Sequence, residues 1–399
     1  MILDRLDRDR FEPVAACPAD SRMTEMMRSL NVRTRDLRPL DARFTWRLDR
    51  MVRYLVSFAL VILCARRIVI EEAPDAIHAN SIRAGMVMSA ATLGTHIPIV
   101  WHAHDILPRH PLSTAIRLFA MATKRNRILA VSGAVSERFR GVILRPLKRR
   151  VPLVVIHNAV DLQRFQASPN GRNEIRRSLG LGKTQRVVGI VGQLTPRKGQ
   201  LELIQAFAHA SCEVKDAVLL IVGASLFNSD DEYVEQLQSA VESLGIRNQV
   251  SFLGQRDDIP QIMQGIDVLA VNSHEEPFAL TVLEGLSSGI PVLATAVGGT
   301  PEMIQHGENG WLVPARDCNA LAQAIVTLLS SATLRGQLGR KGRREAMARF
   351  SMARFYGEVA ELYGNLLAGD QVAEQDKPVR SRKFSLSQLS SATFFRSLF

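Results

Sequence analysis

The sequence predicts an α/β protein of two doubly wound, Rossmann-like domains, and three observations point there. Strand-like apolar runs alternate with helix-like amphipathic runs through most of the chain, as they do where helices pack on parallel sheets. With 399 residues, 46% of them hydrophobic, the chain can bury two cores of ordinary size. Residues 186–199 and 272–302 both join a buried strand to a helix through a turn carrying glycine.

The first domain is expected over residues 1–165. Its opening, ILDRLDRDRFEPVAAC, reads as a helix and then a strand. Residues 43–67 read as one long helix around the apolar run YLVSFALVILCA (54–65). Twelve residues make only about 18 Å of helix, short of the ~30 Å of hydrocarbon in a bilayer. DAIHANS (75–81) and IPIVWHAHDIL (97–107) are strands with polar ends, His78 and Asn80 in one, His102 and His104 in the other. Open α/β sheets place ligand-binding side chains at such carboxyl ends. A lone histidine there is more often a satisfied core residue, but the following Asp105 favours a functional His104. ILAVSGAVSERF (128–139) is a strand, Ser132 as N-cap, and a helix. PLVVIHNAVDLQRF (152–165) closes the domain, with Asn158 and Asp161 suited to a turn.

The second domain is expected over 166–351. RVVGIVGQLTPRKG (186–199) is a buried strand, then a loop with Gly192, Gln193, Arg197 and Lys198, leading to the helix LELIQAFAHA. Further on, NSHEEPFALTVLEGLSSGIPVLATAVGGTPE (272–302) places Glu276 and Glu284 on either side of a short apolar turn. Pro277 and Phe278 suit a loop entering a helix over 279–287, whose first-turn N–H groups, near Ala279 and Leu280, attract an anion. Glu284 then lies about one and a half turns into the helix and Glu276 on the loop ahead, so both can reach along one ligand. A diphosphate flanked by two polyols, a nucleotide sugar, has that shape. An isolated pair of glutamates would more often be solvated helix-terminal charges. The buried strand PVLATAV and the Gly298-Gly299 turn into TPEMIQ set this pair in a strand–turn–helix frame.

Together these residues resemble the donor-site signature of the retaining glycosyltransferases of family 4, whose GT-B architecture has two Rossmann-like domains facing across a cleft. The resemblance implies that Glu276 contacts the transferred sugar, with His104 near it, as the catalytic pair. It implies that Glu284 holds ribose hydroxyls and Lys198 the diphosphate. Gly192, Gln193, Arg197, Phe278, Ala279 and Leu280 complete the implied nucleotide-sugar site. The chain departs from the family at Gln193, where arginine is usual, at Ala279, where glycine is usual, and at Gly285. Arg197 is a candidate substitute for the missing arginine, and the Ala279 methyl is expected to narrow the choice of donor.

By the same resemblance MARFYGEVAELYGNLLA (352–368) is a last helix crossing back to the first domain. The family's opening strand and glycine-rich loop are not found ahead of Ile2. In a sheet of order 3-2-1-4-5-6 that strand is central, so its two neighbours are expected to carry unpaired edges. The expectation is that the start codon lies upstream or that the chain is a fragment with an impaired first domain.

No Asp-x-Asp closes a strand, and His and Cys are scattered, so neither a metal nor a cofactor is expected. Cationic side chains and helix N-termini would stabilise the leaving nucleoside diphosphate. The four cysteines lack motif spacing, which suggests a reducing, cytoplasmic compartment. Residues 1–160 carry 26 Lys+Arg against 14 Asp+Glu, while the rest carries 24 against 25. No zinc-finger or RNA-recognition signature accompanies the arginines, so nucleic acid is not expected. An anionic membrane surface is a candidate partner, approached peripherally from the inner face, although a core-packing helix with basic flanks explains residues 43–67 as well. The basic, serine-rich stretch from Gly369 to the C-terminus is expected to be disordered. The leading function is transfer of a hexose from a nucleoside-diphosphate sugar to a hydroxyl of a sugar or lipid-linked acceptor, in polysaccharide or glycolipid assembly. The alternatives are a nucleotide-sugar epimerase of the same fold and a degenerate protein that binds nucleotide sugar without turnover.

Overall fold

The computed structural model describes residues 2–40, 48–108, 110–121, 126–141, 153–166, 168, 170–225 and 231–368. The chain divides into two compact units: residues 1–156 with the C-terminal helix from Phe355, and residues 157–354. The expected edges lay after 165 and 351, and the stretch from Gly369, expected to be disordered, lies outside the described residues.

The first unit contains β1 (Val14–Cys17), α1 (Arg22–Ser29), β2 (Arg33–Asp36), α2 (Leu48–Glu72), β3 (Ile77–Ala79), α3 (Ile82–Ala91), β4 (Ile99–Ala103), α4 (Pro111–Met121), β5 (Arg127–Ala130), α5 (Gly133–Arg140) and β6 (Leu153–Val155). The opening is not the expected helix. Only a 3₁₀ turn forms at Ile2–Asp4. Further on, the Asp7 carboxylate accepts from the Asp9 N–H at 3.1 Å and its carbonyl from the Phe11 N–H at 3.0 Å. Such a local side-chain bond offers the backbone an alternative to helix. Among the described residues the strands form two separate parallel sheets, β1-β2 and β3-β4-β5-β6. At Ser132 the expected cap is found, its Oγ accepting from the Val135 N–H at 3.1 Å.

α2 runs on to Glu72, past the expected end at Arg67, and residues 41–47 lie outside the description. Its inner face packs Val61 and Ala65 against Val87 and Ala91 of α3. Its outer face leaves Val52, Leu55, Val56, Leu63 and Ile70 exposed. These positions recur at helical spacing as one stripe. No helix of the described residues is long and apolar enough to cross a membrane.

The second unit contains α6 (Gly171–Ser178), β7 (Arg186–Val191), α7 (Gln200–Glu213), β8 (Ala217–Val222), α8 (Asp231–Ser243), β9 (Val250–Gly254), α9 (Ile259–Gly265), β10 (Val268–Val271), α10 (Leu280–Ser288), β11 (Val292–Thr295), α11 (Thr300–Met303), β12 (Trp311–Val313), α12 (Cys318–Ser330) and α13 (Ala332–Arg349). α14 (Met352–Leu367) follows. All six strands are parallel, in the order β12-β11-β10-β7-β8-β9. This is the doubly wound order, and its switch point falls between β7 and β10. One face of the sheet is closed by Leu203 and Phe207 of α7, Leu237 of α8, and Ile325 and Leu328 of α12. On α10, a Cβ at Gly285 would sit 2.5 Å from Leu269 Cδ2 and 2.8 Å from Val292 Cγ2. The glycine lets α10 lie flat on β10 and β11, which sets where Glu284 stands.

Candidate active site

At the switch point the loops leaving β7 and β10 lie against one another, because the parallel ladder pairs Val188 with Val268 and Ile190 with Ala270. Gly199, at φ +66°, makes the approach possible, since a Cβ there would lie 2.2 Å from the Asn272 carbonyl oxygen. The Asn272 amide Nδ2 donates to the Gly199 carbonyl at 2.8 Å, and the His274 N–H donates to the Arg197 carbonyl at 2.8 Å. The Arg197 guanidinium donates to the Glu275 carbonyl at 3.1 Å. The arginine thus ties the two loops together.

These ties bring Lys198 to Glu276. Lys198 Nζ lies 2.6 Å from Glu276 Oε2, and Ser273 Oγ donates to the same oxygen at 3.0 Å. Glu276 is only 6% exposed, and both of these bonds fall on a single carboxylate oxygen. Its carbonyl accepts from the Gly299 N–H at 3.0 Å, and Thr295 Oγ1 donates to the Ser273 carbonyl at 2.6 Å. The loop main chain that carries the carboxylate is therefore anchored at both Ser273 and Glu276. Ser273 was not singled out in the sequence. A hydroxyl three residues before a loop carboxylate was the available signal.

The loop then enters α10 through Phe278 and Ala279. Ala279 is the N-cap, and among the described residues no side chain caps the first-turn N–H groups. The helix begins at Leu280, one residue later than expected. The ring of Phe278 is 5% exposed and stacks on His157 at 5.1 Å and 11°, while His157 Nε2 lies 2.8 Å from Glu302 Oε2 on α11. Phe278 thus anchors the loop with its ring and leaves its main chain for any ligand. Glu284 is partly buried. Burial pushes its carboxyl above the usual carboxylate range, an effect that Arg164 opposes. At the exit of β7, the Gly192 N–H extends the ladder to the Val222 carbonyl at 3.0 Å, and the Gln193 carbonyl accepts from Gln200 Nε2 at 2.8 Å. In the preceding loop, Asp161 closes a turn by accepting from the N–H groups of Gln163 and Arg164.

His104 belongs to the other unit. Its Nε2 donates to Asn80 Oδ1 at 3.0 Å, and its ring lies over His102 with centroids 3.9 Å apart. Burial lowers its pKa, and Asp105 opposes that shift.

Residues 171–345 match the family model of glycosyl transferases group 1, and residues 1–164 match that of glycosyltransferase family 4. The chain is 32% identical over 236 residues to a D-inositol 3-phosphate glycosyltransferase of Mycobacterium marinum, a match covering 57% of this chain and 49% of that one. It is 29% identical over 198 residues to the N-acetyl-alpha-D-glucosaminyl L-malate synthase of Bacillus anthracis, covering 50% of each. The chain thus spans about half the length of the curated relatives it matches. Among solved structures it is similar to HepE of Anabaena in complex with UDP, with TM-score 0.76 and 27% identity over 91% of this chain and 94% of that one. The complex of the same protein with UDP-glucose gives TM-score 0.72 and 27% identity over 90% and 92%.

Proposed function

The chain belongs to the group 1 glycosyltransferases of family 4 and has their GT-B fold, and from that premise we propose that it transfers a hexose from a nucleoside-diphosphate sugar to a hydroxyl with retention of configuration. The observation that carries this proposal is the Lys198–Glu276–Ser273 cluster at the β7/β10 switch point, beside the uncapped start of α10. On donor binding Lys198 exchanges its contact with Glu276 for the diphosphate, and the α10 N–H groups meet a phosphate oxygen. The freed Glu276 carboxylate accepts from hydroxyls of the sugar. Glu284, further along α10, accepts from the ribose. The structures of HepE with UDP and UDP-glucose support a donor of this class.

In the transfer the bond from the sugar C1 to the phosphate oxygen breaks, and the acceptor oxygen bonds C1 on the same face. The acceptor proton passes to the departing diphosphate, so no protein base is required. Lys198 and the helix N-terminus supply the positive charge that the leaving group needs, without a metal. The acceptor is a sugar or a lipid-linked hydroxyl in polysaccharide or glycolipid assembly. The exposed apolar stripe of α2 lies in the basic part of the chain, which complements an anionic bilayer surface approached peripherally from the cytoplasmic side.

A screen of nucleoside diphosphates by thermal shift, followed by donor consumption with and without acceptor in excess chelator, tests this function. Stabilisation by one diphosphate and acceptor-dependent turnover in chelator are expected. Conversion of the donor alone to an isomeric sugar would identify an epimerase, and binding without turnover a degenerate protein.

A further inference from the structure

We propose that Tyr363, His78 and His102 form a hydrogen-bonded relay that fixes the ring on which His104 is seated, which makes all three positioning residues for the transfer. The proposal rests on the assignment of His104 to the reacting sugar. β3 and β4 are parallel neighbours, and His78 and His102 stand near their carboxyl ends. Tyr363, on α14, places its hydroxyl 2.8 Å from His78 Nδ1. His78 Nε2 lies 3.1 Å from His102 Nδ1. The His102 ring lies 3.9 Å, centroid to centroid, from that of His104.

The direction of the protons follows from counting them. Burial, with His104 adding to it, lowers the pKa of His78 to about 4, and burial with both neighbouring histidines lowers that of His102 to about 2. Each imidazole is therefore neutral near pH 7 and carries one N–H. Burial raises the pKa of Tyr363, which keeps its O–H. Among the described residues the one polar partner of that hydroxyl is His78 Nδ1, so Tyr363 donates to it. His78 then holds its proton on Nε2 and donates to His102 Nδ1. His102 in turn holds its proton on Nε2, an atom that is buried without a hydrogen-bond partner among the described residues. Running the chain the other way would strand the Tyr363 proton and leave His102 Nε2 as an unpaired acceptor, two open groups in place of one. Buried polar atoms are rarely left so.

His104 sits on this assembly. Asn80 Oδ1 can only accept, so His104 holds its proton on Nε2 and keeps Nδ1 bare, able to accept from a sugar hydroxyl. The ring beneath it is turned by a hydrogen bond that begins on the C-terminal helix. Nothing local in the sequence joins these residues, since Tyr363 and His78 lie 285 positions apart.

The test is ¹⁵N NMR of the histidine side chains in the full chain, with His78, His102 and His104 assigned by single replacements. All three are expected as the Nε2–H tautomer. Tyr363→Phe keeps the ring and removes the proton, so His78 and His102 should become tautomer mixtures. With the melting temperature little changed, kcat should fall about fivefold at unchanged donor KM, as for one lost hydrogen bond. An Nδ1–H His102 in the unmodified protein, tautomers indifferent to Tyr363→Phe, or tautomers that shift with no change in kcat would each overturn the proposal. The tautomer measurement decides the relay even in a chain that transfers no sugar, an outcome that would count against the transferase function instead.

Discussion

Replacing Lys198 by alanine should damage stability and catalysis through the same carboxylate. Glu276 is 6% exposed and is held by Lys198 Nζ at 2.6 Å and Ser273 Oγ at 3.0 Å. Removing the lysine leaves a buried carboxylate with one hydroxyl donor. Breaking a fully buried pair costs ~3–5 kcal/mol, and because the Lys198 side chain is 22% exposed we expect about 1–3 kcal/mol here. Glu276→Ala should cost less, under about 1 kcal/mol, because the lysine stem can carry its charge out to water. The double replacement strands no carboxylate, so its stability should match Glu276→Ala and give a coupling of about 1–3 kcal/mol in a denaturant-melt cycle. In donor kinetics Lys198→Ala should lower kcat/KM by ~2–4 kcal/mol, the cost of one donor to developing negative charge. Additive stability losses would refute the pairing, and unchanged kcat/KM would refute the placement of the phosphate site.

Three further outcomes follow from the packing. Gly285→Ala should lower stability by about 1–2 kcal/mol, overpacking against Leu269 and Val292 outweighing the helix propensity gained, and should weaken nucleotide binding through Glu284; denaturant melts and titration calorimetry read both. Stability should fall on acidification from about pH 6.5 towards 4, because the unfolded chain takes up protons at His78 and His102 that the folded chain refuses; a melt series whose stability is flat over that window would contradict their buried neutral state. Leu55→Glu and Leu63→Glu on the outer face of α2 should reduce co-sedimentation with phosphatidylglycerol vesicles without changing nucleotide affinity, and unmodified protein that ignores such vesicles would remove the membrane partner.

Features carried by local pattern were legible in the sequence. The strand and loop at 186–199, the loop and helix at 272–288 and the Ser132 cap each lie within one short segment with its own periodicity and turn residues. Lys198 and Glu276 could be named because their strand-to-helix loops resemble the family's donor-site signature, and the parallel order of β7 and β10 then brings them together. The misses depended on competition or on distance. The opening fails as a helix because Asp7 bonds its own backbone neighbours. α11 forms after the Gly298-Gly299 turn as expected but stops at Met303, short of the full TPEMIQ stretch. The stacking of the Phe278 ring on His157 was not foreseen, nor was the reach of Tyr363 to His78 from the far end of the chain. No spacing rule encodes contacts of that range.

The central claim is that one ligand runs along the start of α10, with its sugar at Glu276 and its nucleotide at Glu284. Calorimetric titration of the stabilising nucleoside diphosphate into the unmodified protein, Glu276→Ala and Glu284→Ala tests it most directly, with transfer measured on the same samples. Glu276→Ala should abolish transfer and keep diphosphate affinity, whereas Glu284→Ala should weaken that affinity by ~1–3 kcal/mol through loss of a charged acceptor to the ribose. Equal loss of diphosphate affinity in both variants, or none in either, would contradict this arrangement.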